Sequence, residues 1–388
     1  MNPGFYIILT AQFLSALADN VLLFTAIALL RNLDAPSWHD PMLQWFFVVS
    51  YIILAPLVGS VADAFPKGRV MFATNAIKFI GSSAMMLGMP PLYAYGIVGI
   101  GAAAYSPAKY GILTEYLPPH LLVKANGWME GSTVMAIVLG TILGAVLPSI
   151  NIQTAMIVIT MLYMMAAVFN LYIPKVPIDH KLPRKDPVYV LRDFWHSFKV
   201  LWKDMQGQVS LAVTTLFWGV GATLRFVVLA WAGFALDFTQ KQSTYLMVIV
   251  AIGIAIGSIF AARRIRLEES VKVLPAGIIA GGLVMAMTLV SEWHIACILL
   301  LLIGAFSGYL VVPLNALLQH RGHLLIGAGH SIAVQNFNEN LGIAVLISIY
   351  TLMVRADIEI NSIILIFGLF ISIMMSGIYK LYRTHTPK

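Results

Sequence analysis

The sequence predicts an all-α membrane protein with twelve transmembrane helices, arranged as two related halves of six helices each. Of the 388 residues, 60% are hydrophobic and only 11% are charged. A soluble domain has roughly a quarter of its residues charged, so this composition excludes an ordinary soluble protein. The apolar residues form twelve runs, each close to the length of about 20 residues that one transmembrane helix needs. One long connection separates the first six runs from the last six.

The twelve apolar runs end at charged residues, proline or glycine, and each is interpreted as one span. In chain order, the predicted spans are 5–30, 42–63, 69–89, 91–112, 122–147, 152–173, 209–234, 244–262, 272–290, 293–318, 327–354 and 361–382. The predicted domains are a first six-helix half (1–173), a cytoplasmic loop with an amphipathic surface helix (174–208) and a second six-helix half (209–388). An even number of spans places both termini on one side.

Lysine and arginine predict the orientation, because these residues concentrate in the cytoplasmic segments of membrane proteins. Of the 24 lysines and arginines, five lie in predicted outer segments or inside spans: Arg31, Lys78, Arg225, Lys241 and Arg355. The others, which include Lys181, Arg184, Lys185 and Lys388, lie in segments that are cytoplasmic if both termini are cytoplasmic. The asymmetry predicts a multi-pass membrane protein with both termini in the cytoplasm.

The long connection has two parts with different predicted structures. Its first part contains prolines that disfavour a helix, namely Pro174, Pro177, Pro183 and Pro187. Its second part, 188–206, has apolar residues every three or four positions: Val188, Leu191, Phe194, Trp195, Phe198, Leu201, Trp202 and Met205. The opposite face carries Arg192, His196, Lys199 and Lys203. This pattern predicts a helix on an anionic leaflet; an ordinary helix packed on the bundle and a docking site for a partner enzyme remain alternatives.

The two halves resemble each other at an offset near 200 residues. The corresponding segments are 59–63 and 257–261, Pro107 and Pro313, and Asn126–Glu130 and Gln335–Glu339. These similarities predict two pseudo-symmetric halves. Glycines four residues apart recur, and we expect them to allow close helix packing; they are Gly127/Gly131, Gly140/Gly144, Gly253/Gly257, Gly277/Gly281 and Gly304/Gly308.

A candidate gating motif lies between the second and third spans. Its residues are Gly59, Asp63, Lys67 and Arg69. They resemble the loop signature of major facilitator transporters, although Ala64 and Pro66 replace its usual Arg and Gly. A glycine allows close helix contact, and a carboxylate at a helix end pairs with nearby cations or with a helix N-terminus. We therefore expect these residues to latch one conformation; a plain solvated turn is the alternative.

Ionisable residues at membrane depth are the strongest candidates for function, since each is costly unless paired or hydrated. Asp19 lies roughly 21 Å and Arg225 roughly 24 Å into their spans, at about 1.5 Å per residue. Their matched depth predicts an ion pair across a central cavity. The candidate substrate-binding residues are Asp19, Asn20, Lys109, Glu130, Arg225, Gln335, Asn336 and Glu339. A purely structural ion pair is the alternative for Asp19 and Arg225, and bonds to neighbouring helices are the alternative for Glu130 and Glu339.

Charges of both signs suit a zwitterionic ligand. Arg225 could bind a phosphate through two hydrogen bonds, Lys109 could add a second positive charge, and Asp19 or Glu130 could accept from an ammonium group. Lys78 is interpreted as a snorkelling residue without a function.

Several other classes of function are excluded or disfavoured by the sequence. The single cysteine, Cys297, lies in an apolar run and cannot form an intramolecular disulfide, and the nine histidines lack metal-ligand spacing. No phosphate-binding Gly-x-x-x-x-Gly-Lys-Ser/Thr loop is present. We therefore predict no metal, no cofactor and no enzymatic activity. The net charge of +7 is not taken as a nucleic-acid signal, because charge must be counted by side of the membrane.

Six strings together resemble the bacterial lysophospholipid transporter family over essentially the whole chain. They are AQFLSALADN (11–20), AAAYSPAKYGIL (102–113), KANGWMEGST (124–133), FWGVGATLRF (217–226), VPLNALLQ (312–319) and GAGHSIAVQN (327–336). The resemblance implies a twelve-helix major facilitator fold in the bacterial inner membrane. It also implies that Asp19, Asn20, Lys109, Glu130, Arg225 and Gln335 line a headgroup cavity.

This family resemblance further implies a substrate and a partner. The substrate would be lysophosphatidylethanolamine, with lysophosphatidylglycerol, moved from the outer to the inner leaflet among the membrane lipids. The partner would be an acyltransferase/acyl-carrier-protein synthetase that re-acylates the product on the cytoplasmic side. Two alternatives remain, a proton-coupled efflux transporter of amphiphilic compounds with Asp19 or Glu339 titrating, and a scaffold that anchors a lipid enzyme through the 188–206 helix.

Overall fold

The computed structural model describes residues 2–35, 39–176 and 186–385, and its regular structure is entirely helical. Thirteen α-helices follow one another along these residues. They are α1 (Pro3–Asn32), α2 (His39–Ala64), α3 (Lys67–Met86), α4 (Pro91–Tyr116), α5 (Leu122–Ile150), α6 (Ile152–Leu171), α7 (Pro187–Lys203), α8 (Met205–Leu236), α9 (Gln240–Arg264), α10 (Leu274–Ala286), α11 (Trp293–Leu325), α12 (Ala328–Arg355) and α13 (Ile360–His385). Each of the twelve predicted spans overlaps one of these helices, with limits that differ by up to seven residues, and α7 is the thirteenth.

Local sequence signals explain where several helices begin. The side chains of Asn2, Asn151 and Asp204 each accept a hydrogen bond from a backbone amide in the first turn of the helix that follows. Thr239 and Gln242 form a reciprocal capping box at the start of α9. These bonds satisfy amides that have no partner inside the helix.

Ten of the helices within the described residues are long and apolar enough to cross a membrane. The helices α3 and α4 are not among them. Three cations in α3, Lys67, Arg69 and Lys78, lower its apolar character, and α4 is rich in glycine, alanine and tyrosine. The multi-pass membrane character predicted from composition is confirmed, whereas a count of twelve crossings stays a prediction.

The predicted surface helix is present as α7, but its apolar residues divide between two faces. Val190, Phe194 and Leu201 are buried, whereas Leu191 and Trp195 are exposed. The helix therefore packs on the bundle with one face and leaves another apolar face uncovered. The prolines at 177 and 183 and the predicted cytoplasmic cations at 181, 184, 185 and 388 lie outside the described residues.

The chain forms two compact units. The first unit comprises Met1–Pro118, Met135–Leu201 and Gly322–Phe337, and the second comprises Pro119–Val134, Trp202–Arg321 and Asn338–Lys388. The units differ from the predicted halves because the beginnings of α5 and α12 each pack with the other half's helices. The predicted boundaries at 173 and 209 stay a prediction about the two six-helix repeats.

In the first unit, α3 packs on α4 and α6, α2 packs on α4, and α1 packs on α6. One apolar core lies among α1, α2, α3, α4, α5 and α6 and includes the fully buried Val98 and Tyr163. A second core lies towards the beginnings of α1 and α3 and includes Ile8, Met71 and Ile112. Polar residues that enter this unit from α1 and α3 are therefore surrounded by apolar packing.

In the second unit, α10 packs on α13, α8 packs on α9 and α13, and α9 crosses α11 at very close range. A Cβ atom on Gly257 would overlap the carbonyl oxygen of Ala305, and one on Gly308 would overlap that of Ile254. Gly253 and Gly304 face each other in the same crossing. The prediction that these glycines allow close helix packing is confirmed here, whereas a Cβ at Gly131 would meet no atom of another described element within 4 Å.

Candidate functional site

A buried polar cluster in the first unit surrounds the carboxylate of Asp19 on α1. The ammonium group of Lys78 on α3 donates to both carboxylate oxygens, at 3.0 Å to Oδ1 and 2.8 Å to Oδ2. The hydroxyl of Tyr163 on α6 donates to Oδ1 at 2.8 Å. Lys78 also donates to the Ser15 hydroxyl at 3.0 Å, and Ser15 in turn donates to Asn75 at 2.8 Å. We call Ser15, Asp19, Asn75, Lys78 and Tyr163 the Asp19 cluster.

The Asp19 cluster is neutral in charge and retains one hydrogen-bonding position. The side chain of Lys78 is only 1% exposed, whereas that of Asp19 is 22% exposed. A carboxylate has about four acceptor positions, and the three bonds from Lys78 and Tyr163 occupy three of them. Within the described residues, Oδ2 therefore has room for one further N–H donor.

Two expectations about these residues are wrong. The partner of Asp19 in the structure is Lys78, not Arg225 as matched depth had suggested. Lys78 does not snorkel, since its side chain is buried and its ammonium group lies 5.0 Å from the centre of the Tyr105 ring. Lys78 lies too far from either end of α3 for its side chain to reach the membrane surface, so pairing inside the bundle is what makes its charge tolerable.

The other candidate residues of the first unit are not members of the Asp19 cluster. Asn20 donates from its side-chain amide to the carbonyl of Ala16 at 2.8 Å. Lys109 is half-buried, with its ammonium group 4.2 Å from the centre of the Tyr110 ring. Gln335 and Asn336 are buried on α12. The side-chain oxygen of Asn336 accepts from a serine hydroxyl of α4 at 3.3 Å.

A second cluster in the first unit surrounds Asp63 at the end of α2. Its two carboxylate oxygens accept from the first backbone amides of α12, those of Gly329 at 2.6 Å and His330 at 3.0 Å. The Lys67 ammonium group donates to the same carboxylate at 2.9 Å and also lies 2.8 Å from Glu115. A negative charge here is stabilised by the positive end of the α12 dipole. Together with Asp193 on α7, which contacts the His330 side chain, we call Asp63, Lys67, Glu115 and His330 the latch cluster.

His330 extends the latch cluster to α7. Its ring nitrogens lie 2.6 Å from Oδ2 of Asp63 and 2.9 Å from Oδ2 of Asp193. Since a carboxylate only accepts, the imidazolium form, with a proton on each nitrogen, satisfies both partners. The hydrogen bond with His330 lowers the pKa of Asp193 below its ordinary value, against the opposing effect of burial. Asp193 is therefore ionised at neutral pH and holds α7 to the beginning of α12.

The remaining residues of the predicted gating motif differ in their surroundings. A Cβ atom on Gly59 would lie 2.9 Å from the Cβ of Ala333, so only glycine allows this approach of α2 to α12. The side chain of Arg69 is exposed. It makes no hydrogen bond or ion pair with any part of the chain that the structure describes.

The second unit contains the other candidate residues. Glu130 on α5 and Glu339 on α12 are buried, at 5% and 8% exposure. Near Glu130, the side-chain amides of Asn126 and Gln319 exchange two hydrogen bonds, both of 2.8 Å. The side chain of Arg225 on α8 is exposed. Its guanidinium group has no hydrogen bond or ion pair to the described residues, so all five of its N–H donors are open to a ligand.

At the start of α8, Asp204 joins two elements of the second unit. Its carboxylate accepts from the amide of Gly207 at 2.9 Å and from both Nε and Nη2 of Arg321 on α11. Burial alone would raise the pKa of Asp204, but the hydrogen bonds from Arg321 and Gly207 outweigh it and lower the pKa. This ion pair holds the beginning of α8 to the end of α11.

Sequence reasoning missed six polar or charged residues of these clusters: Ser15, Asn75, Glu115, Tyr163, Asp193 and His330. It named Lys78 but gave it no role. The depth argument that was applied to Asp19 and Arg225 would also have found Lys78, because it lies in the middle of its span. Asp193 lies in the predicted surface helix and His330 near the start of a predicted span, where charged and polar residues are common and carry no comparable signal. Among the described residues, no group of histidine, cysteine, aspartate or glutamate could hold a metal ion.

Known proteins of one family are similar to this chain over nearly its whole length. Residues 8–347 match the Major Facilitator Superfamily. The lysophospholipid transporter LplT of Escherichia coli O1:K1 / APEC is 43% identical over 385 residues, which are 99% of this chain and 97% of the relative. LplT of Shigella boydii serotype 4 (strain Sb227) has the same identity and coverage.

Solved structures share the fold at low sequence identity. The human organic anion transporter MFSD10 (TETRAN) superposes with a TM-score of 0.77 and 17% identity, over 98% of this chain and all of the other. An outward-facing bacterial homologue of the iron transporter ferroportin has a TM-score of 0.78 and 14% identity, over 99% of this chain and all of the other. The chain thus has the all-helical major facilitator fold.

Proposed function

The chain belongs to the lysophospholipid transporter family of the major facilitator superfamily, and on that premise we propose that it moves lysophosphatidylethanolamine between membrane leaflets. Lysophosphatidylglycerol is its second substrate, and transfer runs from the outer to the inner leaflet of the bacterial inner membrane. The relatives are transporters and not enzymes. The open acceptor position on Asp19 is the observation that connects this function to the residues of the chain.

Asp19 recognises the ammonium group of the headgroup. Its Oδ2 atom has one remaining acceptor position, and its side chain is partly exposed while the rest of the cluster is buried. Lys78 neutralises the carboxylate, so a free cation gains little net attraction there. A zwitterionic headgroup can instead donate one N–H to Asp19 while its phosphate finds cations elsewhere. The arrangement therefore favours a zwitterion over a simple cationic amphiphile.

Arg225 and Lys109 supply the cations for the phosphate. The guanidinium group presents five N–H donors in a planar arrangement that matches two phosphate oxygens, and Lys109 adds a compact positive charge. Arg225 has no competing carboxylate among the described residues, which supports a ligand role over a structural ion pair. The partly buried Asn20 and the buried Glu130, Gln335, Asn336 and Glu339 are further polar side chains proposed to contact the headgroup.

The acyl chain stays in lipid while the headgroup crosses. Moving one methylene group from hydrocarbon into water costs about 0.8 kcal/mol, so a chain of about 14 methylenes would cost roughly 11 kcal/mol. A lateral opening avoids this cost. Transport proceeds by alternating access, and Gly59, Asp63 and Lys67 stabilise one of the alternating states.

The proposed topology has twelve crossings with both termini in the cytoplasm, as the distribution of lysine and arginine indicates. The product then reaches the cytoplasmic leaflet. A lysophospholipid there has a free hydroxyl that an acyltransferase/acyl-carrier-protein synthetase can re-acylate, so such an enzyme is the proposed partner.

The test is translocation of a fluorescent lysophospholipid in proteoliposomes that contain the purified chain. Losing one charge-assisted hydrogen bond of about 1.5 kcal/mol slows transfer about tenfold. We expect Asp19→Asn to slow lysophosphatidylethanolamine by this factor but to leave lysophosphatidylglycerol, which has no ammonium group, much less affected. Arg225→Lys should slow both, because both carry the phosphate. Asp34→Asn, in the exposed turn after α1, is the control and should transport normally.

Two results would contradict the proposal. Equal rates for wild type, Asp19→Asn and Arg225→Lys would remove both residues from headgroup recognition. Transfer that requires a pH gradient and accepts cationic amphiphiles without phosphate would favour proton-coupled efflux instead.

A further inference from the structure

The helix α7 presents two distinct surfaces. The buried one, formed by Val190, Phe194 and Leu201, packs on the first unit, and the Phe194 ring lies 5.6 Å from the ring of Phe337 on α12. The opposite surface is largely exposed within the described residues, although the Trp195 ring also lies 6.2 Å from the ring of Phe337. Because α7 packs on the first unit along one side, its outer surface is presented in one defined direction.

The uncovered surface of α7 combines an apolar stripe with a cationic stripe. Val188, Leu191 and Trp195 are 72%, 50% and 43% exposed. Arg192 and Lys199, also exposed, lie beside them on the same outer surface at helical spacing. We call these five residues the outer surface of α7. Apolar side chains with adjacent cations are typical of helices at the boundary between headgroups and acyl chains.

The charge of the outer surface of α7 indicates that its ligand is an anionic membrane. Arg192 and Lys199 match the phosphates of an anionic leaflet, and the tryptophan suits the interfacial region, where its ring can be apolar on one side and hydrated on the other. A cation close to an anionic membrane surface strengthens binding about fivefold. The two cations together therefore supply about 25-fold in preference for anionic over zwitterionic lipid.

The same helix reaches the latch cluster through Asp193. This residue lies on the side of α7 between the outer surface and the buried face, and it is 31% exposed. Its carboxylate is 2.9 Å from Nε2 of His330, whose Nδ1 is 2.6 Å from Asp63. The backbone amides of Gly329 and His330 donate to Asp63 as well. A change in the position of α7 thus acts directly on the bonds that hold the beginning of α12.

We propose that the outer surface of α7 binds the anionic headgroups of the adjacent leaflet, and that Asp193 couples this binding to the latch cluster through His330. Anionic lipid then holds α7 in place, and α7 holds the start of α12 against the end of α2. The anionic lipid content of the leaflet thereby regulates the latch. This inference is independent of which solute the protein transports.

The experiment is hydrogen–deuterium exchange of the full chain in nanodiscs, with either pure phosphatidylcholine or a mixture containing 30% phosphatidylglycerol. Two regions are followed, 188–199 in α7 and 328–333 at the start of α12. In wild type, we expect exchange in both regions to be at least about fivefold slower in the anionic nanodiscs. High salt should remove this difference, because it screens exposed charges.

Two variants distinguish lipid binding at the outer surface of α7 from the coupling of α7 to the latch cluster. R192E/K199E should lose the lipid dependence in both regions. Asp193→Asn should keep it in α7 and lose it at the start of α12, since the amide cannot replace the ion pair with His330. K380E/R383E, which reverses two exposed cations at the end of α13, is the matched control and should behave as wild type.

Three results would overturn the inference. The first is exchange in wild type that is the same in both lipids. The second is lipid dependence at the start of α12 that survives in Asp193→Asn, which would leave Asp193 without a coupling role. The third is protection of α7 that appears only when a soluble partner protein is added, which would identify the outer surface as a protein-docking site.

Discussion

Replacing Lys78 by methionine isolates the energetic role of the Asp19 cluster. Methionine keeps the length and flexibility of the side chain but removes its charge and all three N–H donors. In the native protein those donors bond Ser15 and both oxygens of Asp19. The substitution therefore leaves a carboxylate inside the bundle with one neighbouring donor, the hydroxyl of Tyr163.

The size of the effect follows from burial and distance. Two unit charges 2.8 Å apart attract each other by about 6 kcal/mol at an effective dielectric constant of about 20, which is an upper limit because desolvation opposes it. Breaking a buried ion pair by removing one partner costs about 3–5 kcal/mol. Since Asp19 is 22% exposed, its carboxylate retains some hydration, and we expect Lys78→Met to lower the free energy of unfolding by about 3 kcal/mol.

The assay is a double-mutant cycle of unfolding in mixed micelles of dodecyl maltoside and SDS, followed by circular dichroism. The cycle uses Lys78→Met, Asp19→Asn and the double variant. The double variant removes the uncompensated charge that each single variant leaves behind. We expect it to be more stable, by at least about 1.5 kcal/mol, than the sum of the two single effects predicts.

The control is Lys272→Met, which breaks an ion pair of similar length, 2.7 Å to Glu269, at an exposed site. No measurable loss of stability is expected there, because exposed pairs contribute little. If Lys78→Met were as mild as this control, or if the effects in the cycle were additive, the interpretation of Lys78 and Asp19 as a coupled buried pair would be refuted.

Three further predictions concern other parts of the molecule. Gly257→Ala should prevent the close crossing of α9 and α11 and lower stability by about 1–3 kcal/mol, whereas Gly131→Ala, which meets nothing within 4 Å, should be neutral in the same unfolding assay. Asp63→Asn should weaken the charge-assisted bonds to the first amides of α12 by about 1.5–3 kcal/mol, seen as faster hydrogen exchange at 328–333; unchanged exchange would remove Asp63 from the latch. Because the pKa of Asp204 is lowered in the folded state, its stabilising effect is present above the ordinary aspartate pKa and is lost as the pH falls through the lowered value. Melting curves of wild type and Asp204→Asn should therefore differ at pH 7, begin to approach each other below about pH 4, and coincide only below the lowered pKa. A difference that persists at still lower pH would contradict this.

The helices could be predicted from sequence because their signals are local. A backbone in hydrocarbon must satisfy its own hydrogen bonds, so an apolar run of sufficient length becomes a helix. The predicted and observed limits of the first span, 5–30 and Pro3–Asn32, differ by only two residues at each end. The periodicity of the 188–206 segment is also a local signal, and it predicted α7.

The glycine and carboxylate signals were also informative, but only about the kind of contact. Gly253 and Gly257 indicated a close helix crossing, and the structure identifies α11 as the partner. Asp63 indicated a cation or a helix N-terminus nearby, and the structure places Lys67 and the start of α12 there. The spacing of four residues already pairs Lys67 with Asp63. The contacts with α11 and with the start of α12 could not be predicted from spacing, because each depends on which helices are neighbours.

The sequence by itself determined the approximate positions and apolar character of the helices, the family of the chain and the presence of charges inside the apolar segments. The tertiary structure decided which charges meet. Position along a helix specifies depth in the membrane, whereas pairing also requires the direction of each side chain around its helix axis and the identity of the adjacent helix. Asp19 and Arg225 match in depth alone, but Lys78 also points from α3 towards α1, and that is why Lys78 is the residue that neutralises Asp19.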